Sequence, residues 1–219
     1  MAGAGFDLSR FLTRPVLGIV RGADEACLAG VLDALVEGGL THIEITLNTA
    51  NALGLLSQAA KRLSAGVCLG AGTVRNRADA ARALDAGARF IVAPTLDGDV
   101  AGFCRERSVA YFPGALTPTE IERAWDAGAA LVKVFPASQM GPGYLSTVKG
   151  PLDEVRLMAV GGVNRENVAE YLAAGASAVA IGGSIVSDKR MKNKEFKAIR
   201  EDVQGFLLAV KKFYSKINA

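Results

Sequence analysis

Apolar and polar positions along the chain switch between two periods. Short stretches with apolar residues at nearly every position alternate with Ala- and Leu-rich stretches whose apolar residues recur every three or four positions. The first kind reads as buried strands and the second as amphipathic helices. The predicted strands are Val16–Val20, His42–Thr46, Val67–Gly70, Phe90–Ala93, Val109–Phe112, Leu131–Phe135, Leu157–Val160 and Ala178–Ile181. Helices are predicted between them, for example at Asp24–Glu37, Ala50–Leu63 and Arg77–Ala86, with a last one over about Lys194–Tyr214. A short amphipathic piece, Asp7–Thr13, is expected to cap one end of the fold. Strands alternating with helices predict parallel βαβ units. Eight such units in 219 residues predict an α/β protein, a single (β/α)8 TIM barrel domain over residues 1–219 with lean loops. An open doubly wound sheet is the alternative.

A recurring half-unit favours closure. A helix end, a glycine and a strand follow one another as EGGLTHIEIT, DAGARFIVAP, DAGAALVKVF and AAGASAVAIG, before the second, fourth, sixth and eighth predicted strands. Gly39, Gly87, Gly128 and Gly175 fit the left-handed position that ends a helix at least cost in glycine. Five residues past each glycine stand Glu44, Val92, Lys133 and Ala180. Alternate strands of a barrel supply one interior layer. The register therefore puts Glu44 and Lys133 in the same layer, facing each other, with Ile43, Ile45, Val132 and Val134 turned outward to helices.

Lys133 is the one charge in Leu131-Val132-Lys133-Val134-Phe135, and it shares a face with Leu131 and Phe135. An ammonium is rarely buried unless it is paired or loses its proton. A desolvated neutral amine is a nucleophile whose natural target is a ketone. A lysine snorkelling to solvent and a structural ion pair with Glu44 are the alternatives; a buried pair is a poor device for stability, because desolvation largely cancels attraction. At the predicted mouth, Val160-Gly161-Gly162 and Ile181-Gly182-Gly183-Ser184 follow the seventh and eighth strands, where many barrels cradle phosphate on backbone N–H groups. Ordinary tight turns would also use these glycines. Thr73 ends the third strand with a hydroxyl open to a carboxylate or carbonyl, Arg21 follows the first strand with a fork suited to an anion, and Pro94 is placed to shape the wall.

Composition changes this picture little. Half the residues are hydrophobic and 21% are charged, as in a globular protein. The net charge of +3 is too weak to argue for nucleic acid, and the late basic residues, Lys189 to Lys216, alternate with acids like a solvated helix face. Cys27, Cys68 and Cys104 lack CxxC spacing and read as reduced core thiols. With neither a signal peptide nor a run long enough to span a bilayer, a soluble cytoplasmic protein without membrane partners is expected. His42 is the only histidine and no acidic cluster has ligand spacing, so a metal is not expected; His42 is assigned to the barrel floor. No GxGxxG follows a strand, and no dinucleotide or other cofactor is expected.

Taken together, these residues resemble the short class I aldolases that cleave 2-keto-3-deoxy-6-phosphogluconate. That family includes enzymes acting on the 6-phosphogalactonate epimer and on 4-hydroxy-2-oxoglutarate. The resemblance runs from Pro15 to about Ile185, through GIVRG, HIEITLNT, GAGTV, FIVAPTLD, YFPGALTPTE, LVKVFPAS, GPGYLSTVKGP, AVGGVN and AIGGS. It implies a metal-free homotrimer that takes a phosphorylated keto acid and releases pyruvate. In it Lys133 would be the Schiff-base lysine and Glu44 the proton-transfer residue. Thr73 would contact the pyruvate carboxylate, and Gly161, Gly162, Gly183 and Ser184 would form the phosphate end. Asn48 stands where gluconate enzymes often carry arginine, leaving the carboxylate to Arg21, and Val160 where many carry threonine, as in the galactonate branch. The expected reaction gives pyruvate and glyceraldehyde 3-phosphate, with Phe135 keeping the pocket dry. A phosphate-binding isomerase or synthase without covalent chemistry, or a regulatory phosphosugar binder, are the alternatives.

Overall fold

The computed structural model describes residues 5–217, so residues 1–4 and 218–219 of the expected domain lie outside the described residues. Nine strands form one sheet: β1 (Val16–Val20), β2 (His42–Thr46), β3 (Cys68–Gly72), β4 (Phe90–Val92), β5 (Ala110–Phe112), β6 (Gly114–Ala115), β7 (Val132–Val134), β8 (Leu157–Val160) and β9 (Ala176–Ile181). Their order is β5-β4-β3-β2-β1-β9-β8-β7-β6, and the pairings within it are parallel. The two outermost strands are consecutive in sequence, separated only by Pro113. The Ala93 amide donates to Phe112 O at 3.1 Å on one side, and the Lys133 amide donates to Pro113 O at 2.8 Å on the other. The sheet is therefore a closed barrel, and the doubly wound alternative is excluded. Eight strands are predicted from the pattern; the ninth, β6, lies past the predicted end of the fifth at Phe112, separated from β5 by Pro113, which has no N–H to donate.

Helices cover the outside: α1 (Leu8–Thr13), α2 (Glu25–Glu37), α3 (Ala52–Arg62), α4 (Arg77–Asp85), α5 (Gly98–Glu106), α6 (Pro118–Asp126), α7 (Ala137–Met140), α8 (Pro142–Lys149), α9 (Val168–Ala173), α10 (Asp188–Lys192) and α11 (Phe196–Ile217). Local chemistry starts several of them. Asp24 caps α2 by accepting from Cys27 N, and Thr117 and Glu120 form a capping box on α6. Gly39, Gly87, Gly128 and Gly175 all adopt positive φ, between 92° and 108°. They turn the chain out of α2, α4, α6 and α9 toward the next strand, as the repeat predicts. On α11, Ile199, Val203, Phe206 and Val210 are buried, while Arg200 reaches Glu37 of α2 at 2.9 Å. The late basic stretch is thus one face of a docked helix. Among the described residues no helix is long and apolar enough to cross a membrane.

Period-two alternation divides the apolar residues into two cores. Val16, Val20, Ile43, Ile45, Val132, Val134, Val179 and Ile181 face the helices. Leu17, Ile19, Phe90, Val92, Phe112, Leu131, Met158, Val160, Ala178 and Ala180 fill the barrel. At the floor, Phe6 and Phe11 pack on Phe90, Phe112 and His42, with ring centroids 4.7–6.3 Å apart. That plug is how α1 caps the barrel. His42 meets Thr41 Oγ1 through Nδ1 at 2.9 Å, and burial, helped by nearby Arg10 against Asp7, lowers its pKa to about 4. His42 is a neutral floor residue.

β3 begins one residue later and ends two residues later than the pattern predicts, because Ala71 and Gly72 are drawn with Gly70 into register with β2, Glu44 opposite Gly70 and Thr46 opposite Gly72. A Cβ at Gly70 would lie 2.3 Å from the Phe90 ring. β6 has a similar constraint, since a Cβ at Gly114 would lie 2.0 Å from Pro94 O and 2.3 Å from its carbonyl carbon. Those atoms are backbone and cannot rotate aside. Gly114→Ala is expected to lower stability by about 3 kcal/mol through this overlap at the closing strand, read as a fall in denaturant midpoint with little change in m. A wild-type midpoint would count against this reading of the closure.

Candidate active site

The strand register delivers two ionisable groups to one level of the barrel. Glu44 is the middle residue of β2 and Lys133 of β7, and both point inward between outward-facing aliphatic residues. Glu44 is 1% exposed and Lys133 5%. Gly72 makes room for the acid, since a Cβ there would stand 2.3 Å from Glu44 Oε1. Val92 and Ala180, the other two members of the predicted layer, belong to the same interior core.

Electrostatics at this level are set by desolvation. Burial pushes the Glu44 carboxyl up to about 6, against the opposing pull of Lys133 and Arg21. Burial likewise lowers the Lys133 amine, with Glu44 resisting and Arg21 assisting. Each charged form is penalised by the apolar wall more than it is rescued by its neighbour. Glu44 Oε2 is buried without a hydrogen-bond partner. The ion pairs among the described residues do not join Glu44 to Lys133. Lys133 Nζ sits 5.0 Å from the centre of the Phe135 ring, which lies at the mouth and is 38% exposed.

Above the amine opens a cleft of about 370 Å³. Arg21, Lys133, Phe135, Gly161, Gly162, Gly183 and Ser184 all line it, so the structure gathers most of the predicted site. Gly161 and Gly162 adopt φ of 95° and 79°, and a Cβ on Gly162 would lie 2.3 Å from that of Ser138. The two glycine turns are tied together by Ser184 Oγ, which donates to Val163 O at 3.2 Å.

Three predicted residues do not line this cleft: Glu44, enclosed in the barrel interior, Pro94 and Thr73. Pro94 lies in a neighbouring cleft of about 310 Å³ with Gly114, Glu120 and Arg123, and Phe135 borders both clefts. Thr73 follows β3 half-buried, on the Glu44 side of the barrel, with its backbone at φ 58°. A β-branched residue in that left-handed region is strained, as residues held for function often are. Sequence reasoning missed Ile19, Val186 and Asp188 as cleft residues. Ile19 has the inward parity of Leu17 and could have been found; Asp188 opens α10 and carries no such signal. Among the described residues, no group of three or more His, Cys, Asp or Glu side chains gathers where it could hold a metal. Cys27, Cys68 and Cys104 are free thiols, two buried and one half-buried.

Comparison with known proteins agrees with this geometry. The family model for KDPG and KHG aldolase matches residues 9–201. A probable 2-dehydro-3-deoxy-6-phosphogalactonate aldolase of Rhizobium meliloti is 37% identical over 175 residues, 80% of this chain and 82% of the relative. A 2-dehydro-3-deoxy-phosphogluconate aldolase of Pseudomonas aeruginosa is 36% identical over 184 residues, 82% and 80% of the two chains. Among solved structures, KDPG aldolase from Legionella pneumophila, with pyruvate captured as a covalent carbinolamine, superposes with a TM-score of 0.84 at 25% identity, covering 91% of this chain and 97% of that one. A buried acid and amine inside a closed barrel, glycine turns at its mouth and relatives matched over most of their length have one common source: the chain belongs to the KDPG and KHG aldolase family.

Proposed function

We propose that the chain is a class I aldolase that cleaves 2-keto-3-deoxy-6-phosphogluconate to pyruvate and glyceraldehyde 3-phosphate. The observation that carries this reading is a buried amine with a lowered pKa in the same barrel layer as a buried carboxyl that has an unpartnered oxygen. The neutral Lys133 Nζ adds to the C2 ketone, and the carbinolamine hydroxyl leaves as water by taking the proton of the Glu44 carboxyl, so that an iminium and a Glu44 carboxylate remain. The Glu44 carboxylate takes the C4 hydroxyl proton. The C4–O electrons become the aldehyde carbonyl, and the C3–C4 pair flows into the iminium to give an enamine. Glu44 returns its proton to C3, and water hydrolyses the resulting iminium to pyruvate and free amine. A carboxyl near pH 6 suits both halves of this exchange.

The remaining residues bind. Arg21 and Thr73 hold the substrate carboxylate, Gly161, Gly162, Gly183 and Ser184 hold the phosphate, and Phe135 shields the amine from bulk water. Pro94 shapes the far side of Phe135. The working unit is one barrel domain over residues 1–219, in a cytoplasmic homotrimer without nucleic-acid or membrane partners. A second substrate reading, the 6-phosphogalactonate epimer, is favoured by apolar Val160 lining the cleft where a hydroxyl would otherwise meet the sugar. Comparing kcat/KM for the two epimers and for 4-hydroxy-2-oxoglutarate separates these.

Reducing the protein with borohydride in the presence of pyruvate is expected to add one pyruvyl mass at Lys133, located by peptide mass spectrometry; labelling elsewhere, or none, overturns the Schiff-base reading. Glu44→Gln is expected to keep the trapped adduct but lower kcat by about 10²–10⁴-fold, the worth of a general acid–base group. The same substitution tests the charge state. Because Glu44 titrates at about 6 rather than 4.5, the native state holds this proton longer than the unfolded chain does. Its stability contribution is therefore fullest below the unfolded value and is lost as pH rises through the folded one. The loss is about 2 kcal/mol, so Glu44→Gln is expected to match wild type at about pH 4 and exceed it by that amount at about pH 8 in denaturant melts. A variant whose stability relative to wild type falls as pH rises would contradict the assignment.

A further inference from the structure

Among the described residues the buried polar and charged side chains are His42, Glu44, Thr46, Thr49 and Lys133. Lys133 and Glu44 carry the proposed chemistry, and His42 belongs to the aromatic floor. Thr46 and Thr49 have no part in either, yet their hydroxyls are 0% and 6% exposed residues' only polar side-chain groups. Hydroxyls removed from water need partners. Their partners here form a chain that crosses from one strand to another.

Thr46 stands two residues past Glu44 on β2 and shares its inward face. Its methyl carbon packs beside Glu44 over Gly72, 3.1 Å from where a Gly72 Cβ would be. The Thr46 and Thr49 hydroxyls lie 3.1 Å apart, and the Thr49 amide donates to Thr46 O at 3.0 Å, closing the turn between them. Thr49 Oγ1 then accepts the Gly22 amide hydrogen at 3.0 Å. Gly22 follows Arg21, adopts φ 75°, and is bounded on its other side by the Asp188 carboxylate, 2.7 Å from a would-be Cβ. Neither threonine lines the cleft, whereas Arg21 does.

We infer that the Thr46–Thr49 hydroxyl pair is a positioning device that holds the backbone at Gly22 and so aims Arg21 at the substrate carboxylate, in register with Glu44 on the adjoining strand. The inference rests on the aldolase reading above. An arginine side chain loses much rotamer freedom when it is held on a ligand. A fixed backbone beneath it lessens that cost, which is what the buried hydroxyls provide at the base of an otherwise exposed turn. Without the Thr49 hydroxyl the Gly22 amide loses its partner and the turn is free to shift, moving the guanidinium away from the anion.

Thr49→Val removes the hydroxyl with little change in shape. The pyruvate concentration giving half-maximal borohydride trapping, and KM for the cleaved substrate, are expected to rise about three- to tenfold, with kcat within about twofold of wild type. Thr49→Ser is expected to restore both, and Thr46→Val to move them in the same direction as Thr49→Val. In an Arg21→Ala background Thr49→Val is expected to add nothing further. A purely structural role would lower Tm while leaving half-trapping and KM at wild-type values, and that result overturns the inference. So does a full, additive effect of Thr49→Val on top of Arg21→Ala. If Thr49→Val does not fold, Thr46→Val alone and over Arg21→Ala decides by the same two criteria. Wild type that traps no pyruvate at Lys133 defeats the aldolase reading itself, a result distinct from wild type that traps while the threonine variants match it.

Discussion

Desolvation of two ionisable groups inside one apolar tube is the constraint on which the rest depends. Glu44 and Lys133 each leave water, and each is pushed toward its neutral form by burial more strongly than the partner pulls it back. In solution the amine would be protonated and not nucleophilic, and the carboxylate would be too weak a base to take and hold a proton near neutrality. A closed barrel solves a geometric problem that a surface cannot. It holds the two groups at one level, from different strands, and lets aliphatic and aromatic side chains supply the low-dielectric wall.

The supporting architecture follows from keeping that interior closed and roomy. Closure depends on the run around Pro113, whose two halves serve opposite neighbours with backbone hydrogen bonds. Space depends on glycines, with Gly70 yielding to the Phe90 ring and Gly72 to the Glu44 carboxyl. The floor is plugged by Phe6 and by Phe11 of α1, and the cleft opens at the other end, where the strand C-termini carry Arg21, the glycine turns and Phe135. Stability and chemistry oppose each other here. A buried acid kept near its working pKa costs folding free energy, and a β-branched Thr73 at positive φ adds strain close by.

A division of labour separates the two ends of the molecule. Aromatic packing and the neutral His42 belong to the floor and serve folding. Arg21, Lys133 and the positive-φ glycines Gly161 and Gly162 gather at the mouth. Hydrogen bonds such as Gly22 to Thr49 and Ser184 to Val163 tie neighbouring mouth turns to each other, so that the residues of the cleft are held by more than their own loops.

What the chain determined by itself was whatever depends on period and parity. Each of the eight predicted strands overlaps a single observed strand because buried strands announce themselves locally, and Val16–Val20, His42–Thr46 and Leu157–Val160 have the predicted bounds. The same parity put Glu44 and Lys133 on inward faces, since residues of equal spacing from equivalent glycines must occupy equivalent barrel positions. Tertiary structure alone decided the rest. It added β6 beyond Pro113, carried β3 on through Gly72 in pairing with β2, set Pro94 on the far side of Phe135, and joined Thr49 to Gly22 across 27 residues of chain. Each of these is a contact between segments distant in sequence, and a local pattern of apolar and polar residues carries no record of which distant backbone atom will be its neighbour.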